Sequence, residues 1–245
     1  MRCNMSFIEK KVLEEIQFYV TTEYSCGYIN GQDAQSIVAT PYKNVNSKNF
    51  NSLMSKGFRR SGQYVYKPNC KDCSACIPIR VLASNFNVSR SQKRLKKYLD
   101  NLSVKLLPLT FNEEHYNLYV NYQNKRHQNN DGAEDNVADY NDFLIKSNVT
   151  SRLVEFRLNN QLKMVTIIDI INDGISAVYT FYDCSDQKLS LGTMSIIWLL
   201  ELCKEEKLSF LYLGYWIHES QKMKYKTNFK PYELMIEGVW QEATS

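Results

Sequence analysis

Three cysteines at a spacing of three, Cys70-x-x-Cys73-x-x-Cys76, sit inside the most basic stretch of the chain. Thiolates so spaced can turn toward one ion, with Cys26 as a fourth ligand, and a structural zinc or an iron–sulfur cluster would suit them. Clustered buried thiols without metal are the alternative. Around them, Lys56 to Lys97 carries eleven Lys or Arg residues against a single acid, Asp72, in a chain whose net charge is only +4. Charge concentrated in this way meets phosphate. Arg90, Lys93, Arg94, Lys96 and Lys97 suit phosphate contacts along one helix. Lys222, Lys224, Lys226 and Lys230, interleaved with Tyr225 and Phe229, make a second patch that could hold a single-stranded end by charge and stacking.

The second half of the chain offers groups for proton and oxyanion chemistry. Tyr179, Tyr212, Tyr215 and His218 fall at strand positions where a cleft would open, and a phenol can donate to an oxyanion or relay a proton. Aromatic core residues with satisfied hydroxyls are the plainer reading of the same tyrosines. The histidines His115, His127 and His218 are too scattered for a Ser-His-Asp triad. Asp169 and Glu155 stand in apolar strands, either as outward-facing acids or as a general base.

Positioning these groups takes more than one local element. At 245 residues and 44% hydrophobic content the chain can bury one large or two small cores. No run of about eighteen apolar residues exists, and Met1-Arg-Cys-Asn-Met-Ser6 lacks the apolar stretch of a signal peptide, so a cytoplasmic protein is expected. An odd cysteine count then argues against a disulfide framework, and Cys184 and Cys203 read as buried apolar residues. A change of texture near residue 100 divides the chain into a small α/β domain, 1–100, and a larger one, 101–245. The first has strands at Ile16–Val20, Tyr64–Tyr66 and Ile77–Val81, a helix from Asn46 to Lys56, and a basic helix capped by Ser89. The second has a strand at Val104–Leu107, a helix from Glu113 to His127, and a meander over Ser151–Leu158, Lys163–Ile171 and Ala177–Tyr182, with Asn159-Asn160 and Asn172–Gly174 as turns. A helix from Met194 to Glu206 and a strand from Leu208 to Tyr215 follow. This is the element order of acetyltransferase-like (GNAT) acyltransferases, an α+β fold with a mostly antiparallel sheet. The loop before the central helix, Gln187 to Thr193, lacks the glycine spacing that cradles coenzyme A in that superfamily.

Several ordered blocks carry a closer resemblance. Gly57-Phe-Arg-Arg-Ser-Gly62, Tyr64-Val-Tyr-Lys-Pro68, Cys70-x-x-Cys73-x-x-Cys76, Ile79-Arg80 and Ser89-Arg-Ser-Gln-Lys-Arg94 resemble the N-terminal signature of the arginyl-tRNA protein transferase family. Tyr179-Thr-Phe-Tyr182, Leu189-Ser-Leu-Gly-Thr193, Leu211-Tyr-Leu-Gly-Tyr215-x-Ile217 and Lys222-Met-Lys-Tyr-Lys226 are similar to its C-terminal blocks. The short length resembles the bacterial branch, which transfers leucine. Ile29 departs from the second cysteine that eukaryotic members carry after a Cys-Gly-Tyr block.

The resemblance implies transfer of leucine from leucyl-tRNA to the α-amine of proteins that begin with Asp or Glu, marking them for degradation. Arginine as the donor amino acid is the alternative within the family. A coenzyme A-dependent acetyltransferase and a noncatalytic RNA-binding protein are the alternatives outside it. The donor ester is already activated and an α-amine of pKa about 8 is partly neutral near pH 7, so neither ATP nor a cofactor is required. Proximity, removal of one proton and donors to an oxyanion suffice. An acidic N-terminal residue calls for a forked cation, with Arg59, Arg60, Lys67 and Arg80 as candidates. No membrane and no stable protein partner are expected.

Overall fold

A computed structural model describes residues 16–126, 136–185 and 189–243. The N-terminal six residues, His127, and Gln187 and Lys188 of the loop considered above lie outside them. The chain runs through β1 (Gln17–Val20), a short ladder of β2 (Tyr24–Ser25) with β3 (Asp33–Ala34), β4 (Ser36–Thr40), α1 (Ser47–Met54), β5 (Arg59–Ser61), β6 (Tyr64–Pro68) and β7 (Ile77–Leu82). It continues with α2 (Arg90–Leu99), β8 (Ser103–Pro108), α3 (Glu113–Arg126), α4 (Val137–Tyr140), β9 (Ser151–Leu158), β10 (Gln161–Ile171) and β11 (Gly174–Tyr182). The last elements are α5 (Leu191–Glu205), β12 (Phe210–Trp216), a 3-10 segment (Gln221–Asn228), β13 (Tyr232–Ile236) and β14 (Val239–Glu242).

Local chemistry accounts for many of these boundaries. The Ser89 hydroxyl accepts from the Gln92 amide, and the Gln92 side chain reaches back to the Ser89 amide, so α2 starts in a full capping box. The β9–β10 hairpin turns at Asn159 and Asn160, both at positive φ (49° and 67°), a conformation asparagine tolerates better than most residues.

Two sheets result. A small antiparallel one has the order β1-β4-β6-β5, and a large one the order β14-β13-β7-β12-β11-β10-β9-β8. Among the described residues only β11 and β12 are parallel neighbours, joined by the α5 crossover. The expected boundary at residue 100 does not coincide with a break in the large sheet, because β7 pairs with both β12 and β13. The C-terminal hairpin β13–β14 was not among the expected elements.

Alternation along β10 sets the layers. Met164, Thr166, Ile168 and Ile170 face α5 and α2 in one core with Val154, Phe156 and Leu211. Val165 and Ile167 face α3 and α4 on the other side, with Leu153 and Phe181. Ile171, next on that face, joins the core of the small sheet with Phe50, Leu53 and Val65. Asp169 lies between them, and its carboxylate takes both Nε and Nη2 of Arg60 at 2.8 Å. The small sheet is thus bolted to β10 by a buried, bidentate ion pair. Among the described residues no helix is long and apolar enough to cross a membrane.

Glu155 makes the second buried ionic group, accepting from Arg157 and paired with His115 Nε2 at 2.9 Å. The Arg157 hydrogen bond, helped by His115 and opposed by burial, holds its carboxyl at about 2 rather than 4.5. Because the folded value lies below the unfolded one, this stabilisation is complete above about pH 4.5 and is lost as pH falls toward 2. Urea midpoints measured from pH 6 to pH 2.5 should therefore fall more steeply for the native chain than for Glu155→Gln. Equal slopes would place the acid sensitivity in other carboxylates.

Candidate active site

β11 and β12 run side by side for only three pairs, the last being Ser176 with Tyr212, and then separate. Their facing edges beyond that point, residues 177–182 and 213–216, have no strand between them. Unpaired backbone N–H and C=O groups require partners. The gap is thus a place where a ligand can lie against main chain. Two irregularities shape it. Val178 is the extra residue of a bulge in β11 against β10, and the β12–β7 register shifts between Tyr212 and Tyr215. Gly214 absorbs the second at φ +72°, where a side chain would be strained. As a result Tyr212 and Tyr215 face the small sheet together.

Arg59 of β5 reaches over this bulge. A Cβ on Gly214 would meet its Nη1 at 3.4 Å, so the glycine leaves room for the guanidinium. Arg59 lies between the rings of Tyr66 and Tyr215, 5.9 and 5.8 Å from their centroids. Among the described residues its guanidinium has no hydrogen bond and no carboxylate partner. The nearest second cation is Lys226, buried, with Nζ donating to the Tyr215 carbonyl at 2.5 Å. Burial first, and the Arg59 charge second, push the Lys226 amine down to about 7. Among the described residues no carboxylate answers the Arg59 charge, and Lys226 adds to that charge whenever its amine is protonated, so the pocket is an anion site by electrostatics. A cleft of about 420 Å³ adjoins it, lined by Lys67, Cys76, Pro78, Tyr215 and Met235.

The other candidates disperse. Arg60 is occupied by Asp169 and the Gly62 and Lys146 carbonyls, which leaves its guanidinium no free edge. Arg80 is likewise held, donating to Glu233 and to the Tyr212 hydroxyl while stacked between Phe210 and Trp240. Tyr212 in turn donates a hydrogen bond from its hydroxyl to Asp173, at the closed end of the gap. The Tyr215 hydroxyl is directed away from the gap, to the carbonyls of Gly57 and Tyr66, and burial raises its pKa. Tyr179 bonds to Gln123 and packs on Phe143, and His218, 79% exposed, stands outside near Glu219. Lys67 lies over Phe58 on the cleft wall. Asp169 and Glu155 are both engaged in the ion pairs described above.

The basic residues divide similarly. Arg90, Lys93, Arg94 and Lys97 are exposed on α2, whereas Lys96 is paired with Glu201 at 2.5 Å. Lys222 and Lys224 are exposed on the 3-10 segment, and Lys226 points inward. Gln92 donates to the Asn228 carbonyl, so the two basic patches adjoin. They form one basic surface. Sequence reasoning passed over Tyr122, Lys125 and Arg126 at the end of α3, because a helix ending in Lys and Arg looks like ordinary dipole compensation.

Among the described residues the cysteines are free thiols, and no group of three or more His, Cys, Asp or Glu side chains is arranged to hold one metal ion. The thiols nonetheless gather on one side of the pocket. Burial, then Cys26, Cys70 and Cys73, push the Cys76 thiol up to about 11.

Comparison with known proteins agrees with the order of blocks in the chain. The family described as "Arginine-tRNA-protein transferase, N terminus" matches residues 24–94, and its C-terminal counterpart matches residues 114–236. An aspartate/glutamate leucyltransferase from Methylobacillus flagellatus is 51% identical over 93% of this chain and 92% of its own length. Proteins of the same description from Polynucleobacter asymbioticus (44% identity; 98% and 99% covered) and Thiobacillus denitrificans (45%; 93% and 95%) are similar. Among solved structures, L-PGS from Bacillus licheniformis shows 13% identity and a TM-score of 0.47 over 69% of this chain and 58% of that one. FemX shows 8% and 0.46 over 87% and 83%.

Proposed function

The chain belongs to the arginine-tRNA-protein transferase family, and from that premise we propose that the gap between β11 and β12 is where an aminoacyl ester meets an acceptor amine, with Arg59 as the reader of the acceptor. The protein is an aminoacyltransferase that moves leucine from leucyl-tRNA to proteins beginning with Asp or Glu. The observation that carries the site is the Arg59 guanidinium, half-buried, flanked by two rings and without a carboxylate. A side-chain carboxylate would complete it through two parallel hydrogen bonds. Lys226, its amine lowered to about 7, adds positive charge to the same pocket when protonated, and a bound carboxylate would favour that protonated form.

With its carboxylate on Arg59, the acceptor presents its α-amine toward the open strand edges. The ammonium gives up a proton to solvent, and the neutral nitrogen attacks the ester carbonyl carbon. The tetrahedral oxyanion takes hydrogen bonds from backbone N–H groups of the unpaired edge, and the attacking nitrogen's second proton is the one that moves to the leaving oxygen. Collapse breaks the bond to the ribose oxygen, which leaves with a proton, and an amide remains. Since the ester supplies the driving force, no metal or other cofactor enters this scheme, and the gathered thiols serve the first half of the chain structurally. An enzyme that draws on charged tRNA works in the cytoplasm.

The test is labelled Leu-tRNA supplied with peptides that differ only in their first residue. Peptides beginning with Asp or Glu should take up leucine, and those beginning with Asn, Gln or Lys should not. Equal labelling of all five would overturn the acidic reading, and labelling from Arg-tRNA but not Leu-tRNA would move the donor.

The joined basic surface of α2 and the 3-10 segment holds the tRNA backbone in this proposal. Changing Arg90, Lys93, Arg94 and Lys97 together to Gln should raise KM for Leu-tRNA and flatten its salt dependence by up to about 0.9 log units per lost phosphate contact. Maximal turnover should change little. An unchanged salt slope would show that α2 faces solvent.

A further inference from the structure

The open end of the gap carries a second group of side chains that acceptor binding leaves unused. Tyr182, the last residue of β11, packs against the core on the α5 side. It also meets Tyr122 of α3, which covers the opposite face, edge-on with centroids 4.9 Å apart. The Tyr182 ring thus touches both layers at the end of β11 where the gap opens. Arg126, exposed in the last turn of α3, donates to the Tyr182 hydroxyl and lies 5.7 Å from the centroid of its ring. Across the mouth, Tyr225 of the 3-10 segment is 40% exposed. Its neighbour Lys226 is anchored on the Tyr215 carbonyl beside the Arg59 pocket, and Tyr225 is close enough to Tyr182 and Arg59 for both to act on its phenol, which burial raises.

Three rings and an exposed guanidinium around an opening make a set suited to a flat, sequence-tolerant ligand beside a phosphate. We propose that Tyr122, Tyr182 and Tyr225, with Arg126, seat the 3′-terminal nucleoside of the donor RNA, its base against the rings and its 5′ phosphate toward Arg126. This rests on the reading of the donor as a charged tRNA. Tyr225 gives the seat its direction. Its segment is tied through Lys226 to the Tyr215 carbonyl beside Arg59, so a nucleoside held there presents its esterified ribose to the acceptor. The lysines at 222 and 224, exposed on the same segment, then lie along the path of the preceding phosphates.

The test uses the full chain and a single-stranded RNA tetramer ending in 2-aminopurine riboside, whose fluorescence is quenched on stacking. Binding to the native chain should quench it. Tyr225→Leu and Arg126→Gln should each weaken tetramer binding by roughly 5- to 100-fold. Tyr225→Phe should retain it, because the ring and not the hydroxyl does the stacking. With whole Leu-tRNA, Tyr225→Leu should lower kcat as well as raise KM, since a misplaced ester costs reaction geometry. A native chain that transfers leucine while leaving the probe unquenched, or a Tyr225→Leu variant equal to it in probe affinity and KM, would overturn the seat and leave the leucyl reading intact. Quenching that Tyr225→Leu abolishes, in a chain that transfers no leucine, would support the seat and remove the leucyl reading.

Discussion

Replacing Arg59 by Gln lowers kcat/KM for peptides beginning with Asp or Glu by roughly 30- to 3,000-fold. That range corresponds to the loss of about 2–5 kcal/mol when one member of a desolvated charge pair is removed. The loss is specific. Peptides beginning with Asn or Gln, already poor acceptors, change little, so the preference for acid over amide collapses along with the rate. The fold is spared, because among the described residues the Arg59 guanidinium makes no hydrogen bond and packs on the rings of Tyr66 and Tyr215, while its backbone stays in the β5–β6 ladder. Arg59→Lys keeps the charge but not the planar fork and should recover part of the activity. Steady-state kinetics against paired Asp and Asn peptides decide the matter. An equal loss for both kinds would mean that Arg59 serves the donor or the scaffold.

The largest effect on stability is expected one residue further along β5. Asp169→Ala leaves the Arg60 guanidinium buried without its counter-ion, the two side chains being 1% and 0% exposed. Removing one partner from such a pair costs about 3–5 kcal/mol. Arg60→Ala should cost a similar amount, since Asp169 would keep only the Ser151 hydroxyl, now 2.5 Å from Oδ1. Replacing both at once, Arg60→Met with Asp169→Leu, should restore most of the stability, because no charge is then stranded. Urea unfolding of the four proteins measures this. A double variant as unstable as the singles would point to the Gly62 and Lys146 carbonyls, which lose their Arg60 partner in every Arg60 variant.

Arg59 and Arg60 are adjacent and chemically identical, yet they are expected to fail in different ways. Alternation along a strand turns them to opposite faces of the small sheet. One meets Asp169 across 109 residues of sequence, and the other meets a glycine bulge on β12. Neither Asp169 nor Gly214 marks itself in the sequence as a partner. Asp169 looks like an outward acid in an apolar strand, and Gly214 like an ordinary glycine in one.

Local pattern determined what local energies control. The Ser89 cap and the basic run specify α2, the period-two apolar pattern and the Asn159-Asn160 turn specify the meander, and the ordered blocks from Gly57 to Lys226 specify the family. Concentrated charge marked the surface suited to phosphate, since repulsion among like charges leaves exposure as the cheap arrangement. Tertiary structure alone decided which cations are free. Arg80 is neutralised by Glu233 153 residues away, Lys96 by Glu201 across a helix pair, and Lys226 is drawn inward to the Tyr215 carbonyl. It also decided where the gap opens, because the separation of β11 from β12 depends on β7 arriving from the first half of the chain to pair with the far side of β12. A charge is available to a substrate only when no internal partner satisfies it, and internal partners are chosen by long-range packing, which no window of sequence contains.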